Sequence, residues 1–577
     1  TRKESSAASD VYKRQLPTIS LTMAPGDFLG ANGIYQNPQS TGPAWERRCS
    51  IEFMDPTGRE GRFSETCIVE VHGNSSRRPW RMQKHSLRLS FRGEVGASKL
   101  RQPVFPGSRV TSFDKLILRA SFTDSWGLVS WDPGRYRPDD SVYFRDVWMR
   151  RAHDAMGSLS ADSRWVHLYI NGLYWGCHNL CERVEDEFVA SHEGGEPEDY
   201  EVVDDFVDPD PSATSRWKTL FGMMTSAGSL VSAAAYENVK PYVDLAQFAD
   251  YYMLHVFADC EDWPHHNGYG WRRRAGSDLR YRFGVWDQEI MLDNAAMDRF
   301  SPAAGNTGTD RTAGRLYQRL RENAEWRLLF ADRVRKHLFN GGALTLERSQ
   351  GRWQSAADEL DRAIVAESAR WGDTADATPY GNTESRPGVP LKSVYTREAD
   401  WLPSVAAVKN SYLPAKFNAG NSQSVFSKLR SVGLWPATAA PEFGKYGGVV
   451  PSGYGLTMTG AGSIYYTLDG SDPREAYTGN PRGILYGGPV VLTGTVVVRA
   501  RVRNGAEWSP VTESQFIVGT AAIAANTVVA RLHYNPPEGG EREYVEVMNI
   551  SGGPVELTDA AFTAGIAYRF PVGTVLG

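Results

Sequence analysis

Two acidic residues near the end of a predicted strand are the first candidates for chemistry in this chain. In RFGVWDQE (282–289), Phe283 and Val285 alternate with polar or small neighbours, which is the period of two that is typical of a strand. Extended by the same period, Asp287 and Glu289 point to the inner face. Buried carboxylates need a compensating cation, and a hard, oxygen-preferring ion such as Mg²⁺ suits this pair.

A structural ion-pair network is the alternative interpretation of the same carboxylates. Five arginines lie close to them in sequence and could neutralise them without any ligand. These arginines are Arg272, Arg273, Arg274, Arg280 and Arg282. The pattern alone leaves both interpretations open.

A predicted loop upstream adds two further polar residues, Asp262 and Asn267, in DWPHHNGY. An aspartate that accepts a hydroxyl proton, an asparagine that completes a metal shell and a strand-end aspartate such as Asp287 form the set of groups that phosphoryl transfer uses. His265 and His266 could instead ligate a transition metal, although no third ligand lies at the usual spacing.

A second candidate region is a short loop of small residues between two predicted strands, Gly73, Asn74, Ser75 and Ser76. Its backbone N–H groups could approach a phosphate. Lys84 begins the next strand and could pair with phosphate oxygens, or it could be a solvated strand-end lysine. Glu182 is a plausible ion-pair partner for such a lysine, or a surface helix charge.

The elements that must position these residues alternate between strands and helices. Val166, Leu168 and Ile170 predict a strand that turns at Asn171-Gly172 into a hairpin. A helical stripe runs from Asp244 to Cys260, with Asp244 as its N-cap. The stretch 310–435 is largely helical, and after it the composition changes to short strands and turns, which predicts a domain boundary.

Composition excludes several classes of protein. The chain has 577 residues, too many for one core, and a net charge of −5, which gives no reason to expect nucleic-acid binding. It contains no apolar window of about 18 residues, so no transmembrane segment is predicted. The odd number of cysteines at irregular spacing (Cys49, Cys67, Cys177, Cys181 and Cys260) favours ordinary core thiols over a disulfide framework.

The first fifteen residues, TRKESSAASDVYKRQ, resemble a translated sequencing adapter of the kind seen at the ends of metagenomic assemblies. We therefore expect residues 1–15 to be an artefact and the true N-terminus to be missing. A signal peptide would then not be visible.

Taken in order, the motifs resemble the CotH (spore-coat protein H) kinase family. The resemblance rests on HGNSSRRPWRMQKHSLRLSF, FDKLILRASFTDSW, YFRDVWMRRAHDAMG, WVHLYINGLYWGCHNLCERVEDEFVASHEGG, DWPHHNGY and RFGVWDQE, and it covers roughly residues 60 to 430. One departure is Glu289, because many members have Pro-Trp-Asp-x-Asp where this chain has Val285-Trp286-Asp287-Gln288-Glu289.

The resemblance implies an atypical protein kinase that binds ATP with Mg²⁺ or Mn²⁺ and phosphorylates a protein or peptide acceptor. It implies that Lys84 contacts phosphates and is held by Glu182, and that Asp262 orients or deprotonates the acceptor hydroxyl. Asn267 and Asp287 would hold the metal, with Glu289 in its shell. A non-catalytic scaffold or pseudokinase on the same fold is the alternative.

The C-terminal part resembles other modules. SIYYTLDGSDPR is similar to the chitobiase/hexosaminidase C-terminal module, and 532–562 is similar to the start of a lamin-tail domain. The predicted fold class is therefore α+β: a kinase-like catalytic domain over 16–435, then small all-β sandwich modules over 442–519 and 520–577, the last one truncated. Such modules accompany secreted or cell-envelope proteins, so we expect that location and contact with the envelope or a polysaccharide.

Overall fold

The computed structural model describes residues 16–56, 62–128, 138–226, 230–301, 311–373, 394–418, 420–533, 544–557, 560–562, 568–571 and 574–577. The expected artefact at 1–15 and part of the lamin-tail-like segment lie outside these residues. The chain divides into two compact units. The first comprises 1–323 and 341–432, and the second comprises 324–340 and 433–577.

A closed barrel of seven strands forms the first part of the first unit, in the order β1-β2-β3-β4-β7-β9-β8. Its strands pair antiparallel except for β1 with β8, and their inward residues form one apolar core. The strands are β1 (Thr18–Thr22), β2 (Arg47–Met54), β3 (Arg62–His72), β4 (Ser86–Ser90), β7 (Lys115–Arg119), β8 (Ser163–Ile170) and β9 (Leu173–Glu182), with β5 (Leu100–Arg101) and β6 (Ser112–Phe113) as a small separate pair.

The predicted hairpin is confirmed as β8 and β9, which turn at Asn171 and Gly172. Both turn residues have positive φ, 50° and 78°, the conformation that Asn-Gly favours in tight hairpins. Glu182 is the last residue of β9. It therefore lies on a barrel strand, not on a surface helix.

A three-stranded antiparallel sheet follows, built from β10 (Tyr200–Asp204), β11 (Gly268–Arg273) and β12 (Arg282–Val285). The predicted inner face of β12 is confirmed, since Phe283 and Val285 are buried. The extension of this alternation to Asp287 is wrong. β12 ends at Val285, and Asp287 has a φ of 59°, so its side chain is 46% exposed while that of Glu289 is 5% exposed.

The remaining helices of the first unit pack around these sheets. The predicted helix after Asp244 is confirmed at Leu245–Phe257, and the Asp244 side chain accepts the Gln247 N–H. The others are Pro25–Leu29, Arg145–Ala155, Asp186–Glu193, Arg216–Ser226, Ala233–Glu237, Ala313–Leu320, Leu346–Leu360, Ala363–Trp371, Leu402–Ala407, Leu413–Phe417 and Val425–Ser431, with π-helical turns at Arg397–Trp401 and Val408–Tyr412 and 3₁₀ turns at Pro43–Trp45, Ser75–Arg77, Pro138–Asp140 and Pro197–Asp199.

The second unit combines one helix, Ala324–Leu338, with short strands. Its largest sheet has the order β14-β22-β20-β17-β18, with β21 paired to β20. The strands are β13 (Glu442–Phe443), β14 (Gly448–Val450), β15 (Tyr454–Leu456), β16 (Met458–Thr459), β17 (Ser463–Thr467), β18 (Ile484–Leu485), β19 (Val490–Leu492), β20 (Val496–Asn504), β21 (Glu507–Trp508), β22 (Thr512–Val518), β23 (Thr520–Ala521), β24 (Thr527–His533), β25 (Tyr544–Asn549), β26 (Val555–Glu556), β27 (Ala561–Phe562), β28 (Tyr568–Arg569) and β29 (Val575–Leu576).

Buried charge attaches the helix to these strands. Arg501 on β20 is 2% exposed and donates to Asp332 of the helix at 2.6 and 2.7 Å. Arg474 forms a two-bond pair with Glu325. The segment 324–340 therefore belongs with the β-rich unit, although the predicted domain over 16–435 contained it.

Candidate functional site

A pocket of about 650 Å³ in the first unit gathers three separate stretches of the chain. The Gly73–Ser76 loop follows β3. The loop that carries Asp262 and Asn267 connects the 245–257 helix to β11, and the segment from Trp286 to Glu289 follows β12. Eight of the ten predicted site residues line this pocket: Gly73, Asn74, Ser75, Ser76, Asp262, Asn267, Asp287 and Glu289.

The backbone of the Gly73 loop requires a glycine. Gly73 has a φ of 111°, and a Cβ placed there would lie 2.2 Å from the Ser76 hydroxyl oxygen. The next residues form a single 3₁₀ turn, Ser75–Arg77. The Arg77 Nε is shielded from solvent and has no hydrogen-bond partner among the described residues. The loop therefore offers the pocket small residues, backbone N–H groups and the positive charge of Arg77.

Asp262 and Asn267 are joined directly to each other. The Asn267 side-chain amide donates to the Asp262 backbone oxygen at 3.1 Å and to its Oδ2 at 3.0 Å. The backbone N–H of Asn267 donates to Asp205 Oδ1 at 2.7 Å. Asn267 has a φ of 59°, which asparagine tolerates better than most residues. These bonds turn the Asn267 side chain toward Asp262 at the pocket wall.

Arg119, the last residue of β7, lies against the carboxylates that follow β12. Its guanidinium pairs with Asp287 and lies 2.8 Å from Glu289 Oε1. It also lies 4.9 Å from the centre of the Trp286 ring, within range of a cation–π contact. Glu289 Oε2 accepts from the backbone N–H and the hydroxyl of Thr123 at 2.7 and 3.0 Å. Both oxygens of Glu289 thus have donors.

Gln288 fixes the two acidic segments relative to each other. Its side-chain amide donates to the backbone oxygen of Asn267 at 2.7 Å, and its backbone N–H donates to Asp146 at 3.0 Å. The 262–267 loop and the 287–289 segment therefore meet, as the predicted site requires.

Burial and neighbouring charge shift the ionisation of this cluster. Burial, together with the charge of Asp287, raises the pKa of Glu289 to about 7 in spite of Arg119. Burial disfavours the charged form of Arg119, but Asp146, Asp287 and Glu289 outweigh it and raise the pKa of Arg119. The arginine therefore stays charged, and Glu289 titrates near neutral pH.

Comparison with known protein families gives the family of the chain. The family described as CotH kinase protein matches residues 69–413, more than half of the chain. The chain belongs to this family. A second family, described as Fn3 associated, matches residues 455–516, within the predicted module over 442–519. No curated protein matches the chain.

Among the described residues, no helix has the length and apolar character needed to cross a membrane.

Lys84 does not occupy the position that the CotH resemblance implied. Its side chain is fully buried outside the pocket, and its ammonium donates to Glu367 Oε1 at 2.6 Å and to the Cys177 backbone oxygen at 2.5 Å. Glu367, also fully buried, accepts the Cys177 N–H with its other oxygen. The predicted Lys84–Glu182 pair is therefore wrong, because a helix 283 residues later supplies the partner.

Glu182 has a different set of partners. It lies 3.0 Å from His192 and accepts the backbone N–H of Asp162 at 2.8 Å. Burial raises the pKa of Glu182 against the effect of His192. Asp162, Glu182 and His192 have ligand atoms within 4.8 Å of one another, but they do not line the pocket described above.

The pocket contains side-chain oxygen atoms of the types that bind hard divalent cations. The amide oxygen of Asn267 and the carboxylates of Asp262 and Asp287 are the ligand types that Mg²⁺ and Mn²⁺ prefer. His265 and His266, for which spacing gave no third ligand, find one in Asp262, since the three have ligand atoms within 4.8 Å of one another. Two imidazoles and one carboxylate suit a softer metal than carboxylate and amide oxygens alone do.

Sequence reasoning missed Arg119, Thr123 and Asp205, which also line the pocket. Arg119 ends the apolar run KLILR, and Asp205 follows the strand residues Val202 and Val203. A polar residue directly after an apolar strand was the available signal, and it was applied only to β12. The arginines considered as partners bind elsewhere: Arg272 pairs with Glu201, and Arg280 and Arg282 pair with Asp278.

Proposed function

We propose that this protein is an ATP- and divalent-metal-dependent phosphotransferase that phosphorylates serine or threonine of a secreted or cell-envelope protein. Membership of the CotH kinase family suggests kinase-like activity in general terms. The observation that carries the specific proposal is the meeting of a glycine-containing loop and three acidic or amide side chains in one pocket. Phosphoryl transfer depends on this combination of phosphate-binding N–H groups and metal-holding oxygens.

The Gly73–Ser76 loop is assigned to the nucleotide phosphates. Its backbone can approach an anion closely because Gly73 has no side chain, and Arg77, which also lines the pocket, adds a positive charge. Arg77 takes the phosphate-binding role that the resemblance gave to Lys84. The Lys84–Glu367 pair instead supports the barrel beneath the loop.

The metal, Mg²⁺ or Mn²⁺, is assigned to Asp287 and Asn267. A bound divalent cation supplies neutralisation of phosphate charge. Asp287 is half exposed and uses Oδ1 for Arg119, whereas both oxygens of Glu289 already have donors. We therefore assign Glu289 to position Arg119, which in turn positions Asp287. Asp262 accepts the acceptor hydroxyl proton on its carboxylate, which the Asn267 amide orients.

The decisive experiment measures transfer of the terminal phosphate of ATP with and without Mg²⁺ or Mn²⁺. We expect metal-dependent modification of the protein itself or of an added protein, and a loss of at least about a hundredfold in Asp287→Asn. Asp27→Asn is the matched control, because Asp27 is 45% exposed against 46% for Asp287, also lies near an arginine, and is outside the pocket. Equal activity in the two variants would contradict the proposal.

A non-catalytic binding protein is the second candidate, and one observation favours it. Arg119 already neutralises part of the charge of Asp287 and Glu289, which reduces the demand for a metal. Titration calorimetry separates the candidates. Nucleotide binding that requires a divalent cation supports the phosphotransferase, whereas absence of binding in a folded protein supports the second candidate.

A further inference from the structure

Two of the five cysteines face each other across neighbouring barrel strands. Cys49 on β2 lies directly opposite Cys67 on β3, and their sulfur atoms are 3.4 Å apart. Both thiols are buried, at 2% and 0% exposure. Sequence spacing gave no sign of this, because the strand register, not the spacing, brings the two residues together.

The strand geometry suits a covalent bond between these sulfurs. Directly opposite residues of an antiparallel pair have Cα atoms roughly 4.5–5.5 Å apart, within the range of about 4.4–6.8 Å that a disulfide spans. We propose that Cys49 and Cys67 form a disulfide when the protein folds in an oxidising compartment. The proposal revises the expectation of ordinary core thiols for this pair and does not depend on the phosphotransferase activity.

The bond forms by exchange with a disulfide-bearing oxidant, either a protein or a low-molecular-weight compound. One cysteine thiolate attacks a sulfur of the oxidant and releases a thiolate, which leaves a mixed disulfide. The second cysteine thiolate attacks that mixed disulfide and releases the other thiolate. The protein loses two electrons and two protons, and the oxidant becomes two thiols.

The timing of this step follows from the surroundings of the thiols. The hydrogen bond to Cys49 and then burial raise the pKa of Cys67, so the reactive thiolate is scarce in the completed barrel. Oxidation therefore belongs to the stage at which β2 and β3 are paired but the barrel is still open to solvent.

The other three cysteines have no comparable arrangement. Cys177 and Cys181 are four residues apart on β9, and a strand rise of about 3.3 Å per residue separates them by roughly 13 Å. Cys260 is buried just after the 245–257 helix. The expected product is therefore one specific link.

The primary test refolds the wild-type chain in a mixture of oxidised and reduced glutathione and, separately, in excess reductant. Free thiols are then blocked with N-ethylmaleimide in denaturant, and peptides are mapped by mass spectrometry without reduction. In the oxidised sample we expect one cross-linked pair of peptides, joined through Cys49 and Cys67, with Cys177, Cys181 and Cys260 blocked. In the reduced sample we expect all five cysteines to be blocked. Recovery of Cys49 and Cys67 as blocked thiols from the oxidised, folded sample would overturn the proposal.

A second measurement uses thermal unfolding. The oxidised wild type should unfold several degrees higher than the reduced form, because the link restricts the unfolded chain. Cys181→Ala retains the pair and should show the same difference. The double variant Cys49→Ala/Cys67→Ala should show none, and an equal difference in the double variant would assign the effect to another group.

Discussion

At the scale of single residues, Lys84 shows that neighbours far along the chain decide what a side chain does. Sequence pattern predicted that Lys84 begins a strand, and β4 begins two residues later, at Ser86. It could not place the partner, since Glu367 lies 283 residues away on a helix whose pattern showed only packing positions. Asp262 and Asn267 were easier to place, because they lie in one loop after a recognisable helix, whereas Asp287 was expected on an extension of β12 and lies beyond its end.

We predict that Lys84→Met lowers the free energy of unfolding by about 3–5 kcal/mol, because it leaves the Glu367 carboxylate buried without its cation. Lys115→Met is the control, since Lys115 and Glu185 form a partly exposed pair whose loss should cost under about 1 kcal/mol. Urea unfolding measures both. The affinity of folded Lys84→Met for nucleotide should equal that of the wild type. A large loss of affinity would show that Lys84 takes part in nucleotide binding.

We predict a pH dependence of stability that belongs to Glu289. The folded protein holds the Glu289 proton up to a pKa of about 7, whereas an unfolded glutamate releases it near 4.5. The folded state therefore binds more protons between these values, and stability falls as pH rises through this window. Glu289→Gln should show a smaller decline than the wild type in urea unfolding at about pH 5 and about pH 8.

The control for this measurement is Glu94→Gln, because Glu94 is 70% exposed and outside the pocket. Its decline should match that of the wild type. If Glu289→Gln also matched the wild type, Glu289 would not be the group that titrates.

At the scale of elements, the strands and the main helix were predictable, whereas their ends were not. Period-two alternation identified β8 and β12, and a capping residue identified the start of the 245–257 helix. The alternation gave no sign that β12 stops at Val285, where the chain turns Asp287 toward solvent. Arg119 was missed for a related reason, since its partners Asp287 and Glu289 come from the segment that follows β12.

We predict that Gly73→Ala abolishes nucleotide binding. An added Cβ would lie 2.2 Å from the Ser76 hydroxyl at a φ that alanine adopts at a cost of about 1–3 kcal/mol. Gly107→Ala is matched for backbone strain, with a φ of 79°, but nothing lies within 4 Å of its Cβ and it is outside the pocket. Calorimetry with ATP and Mg²⁺ should find binding only in the control. Nucleotide binding in both variants would show that the Gly73–Ser76 loop does not bind the phosphates.

At the scale of the whole molecule, sequence composition predicted a change of character near residue 435, and the second unit resumes at Gly433. It did not reveal that Ala324–Asn340 belongs to this unit. An amphipathic helix packs equally well on helices or on a sheet, so its pattern cannot name its partner. The long-range pair of Asp332 with Arg501, 169 residues apart, shows that this helix packs on the sheet.

We predict that Asp332→Ala weakens the second unit by about 3 kcal/mol, because Arg501 then keeps the partly exposed Asp472 as its one acidic partner, beside the Ser509 backbone oxygen. Hydrogen exchange followed by mass spectrometry should show faster exchange in β20 and unchanged exchange in the barrel strands. Glu513→Ala, which removes an exposed partner of Arg499, should leave β20 protected to within about 1 kcal/mol. Equal exchange in the two variants would show that Asp332 does not stabilise β20.

The inserted position of the 324–338 helix has a consequence for biosynthesis. The helix residue Asp332 accepts the N–H of Val511, which is translated 179 residues later. At about 5–20 residues per second, the nascent helix waits on the order of tens of seconds for its sheet. During that interval the second unit is incomplete, so we expect the helix to reach its native packing only after the sheet residues through Val511 have been synthesised.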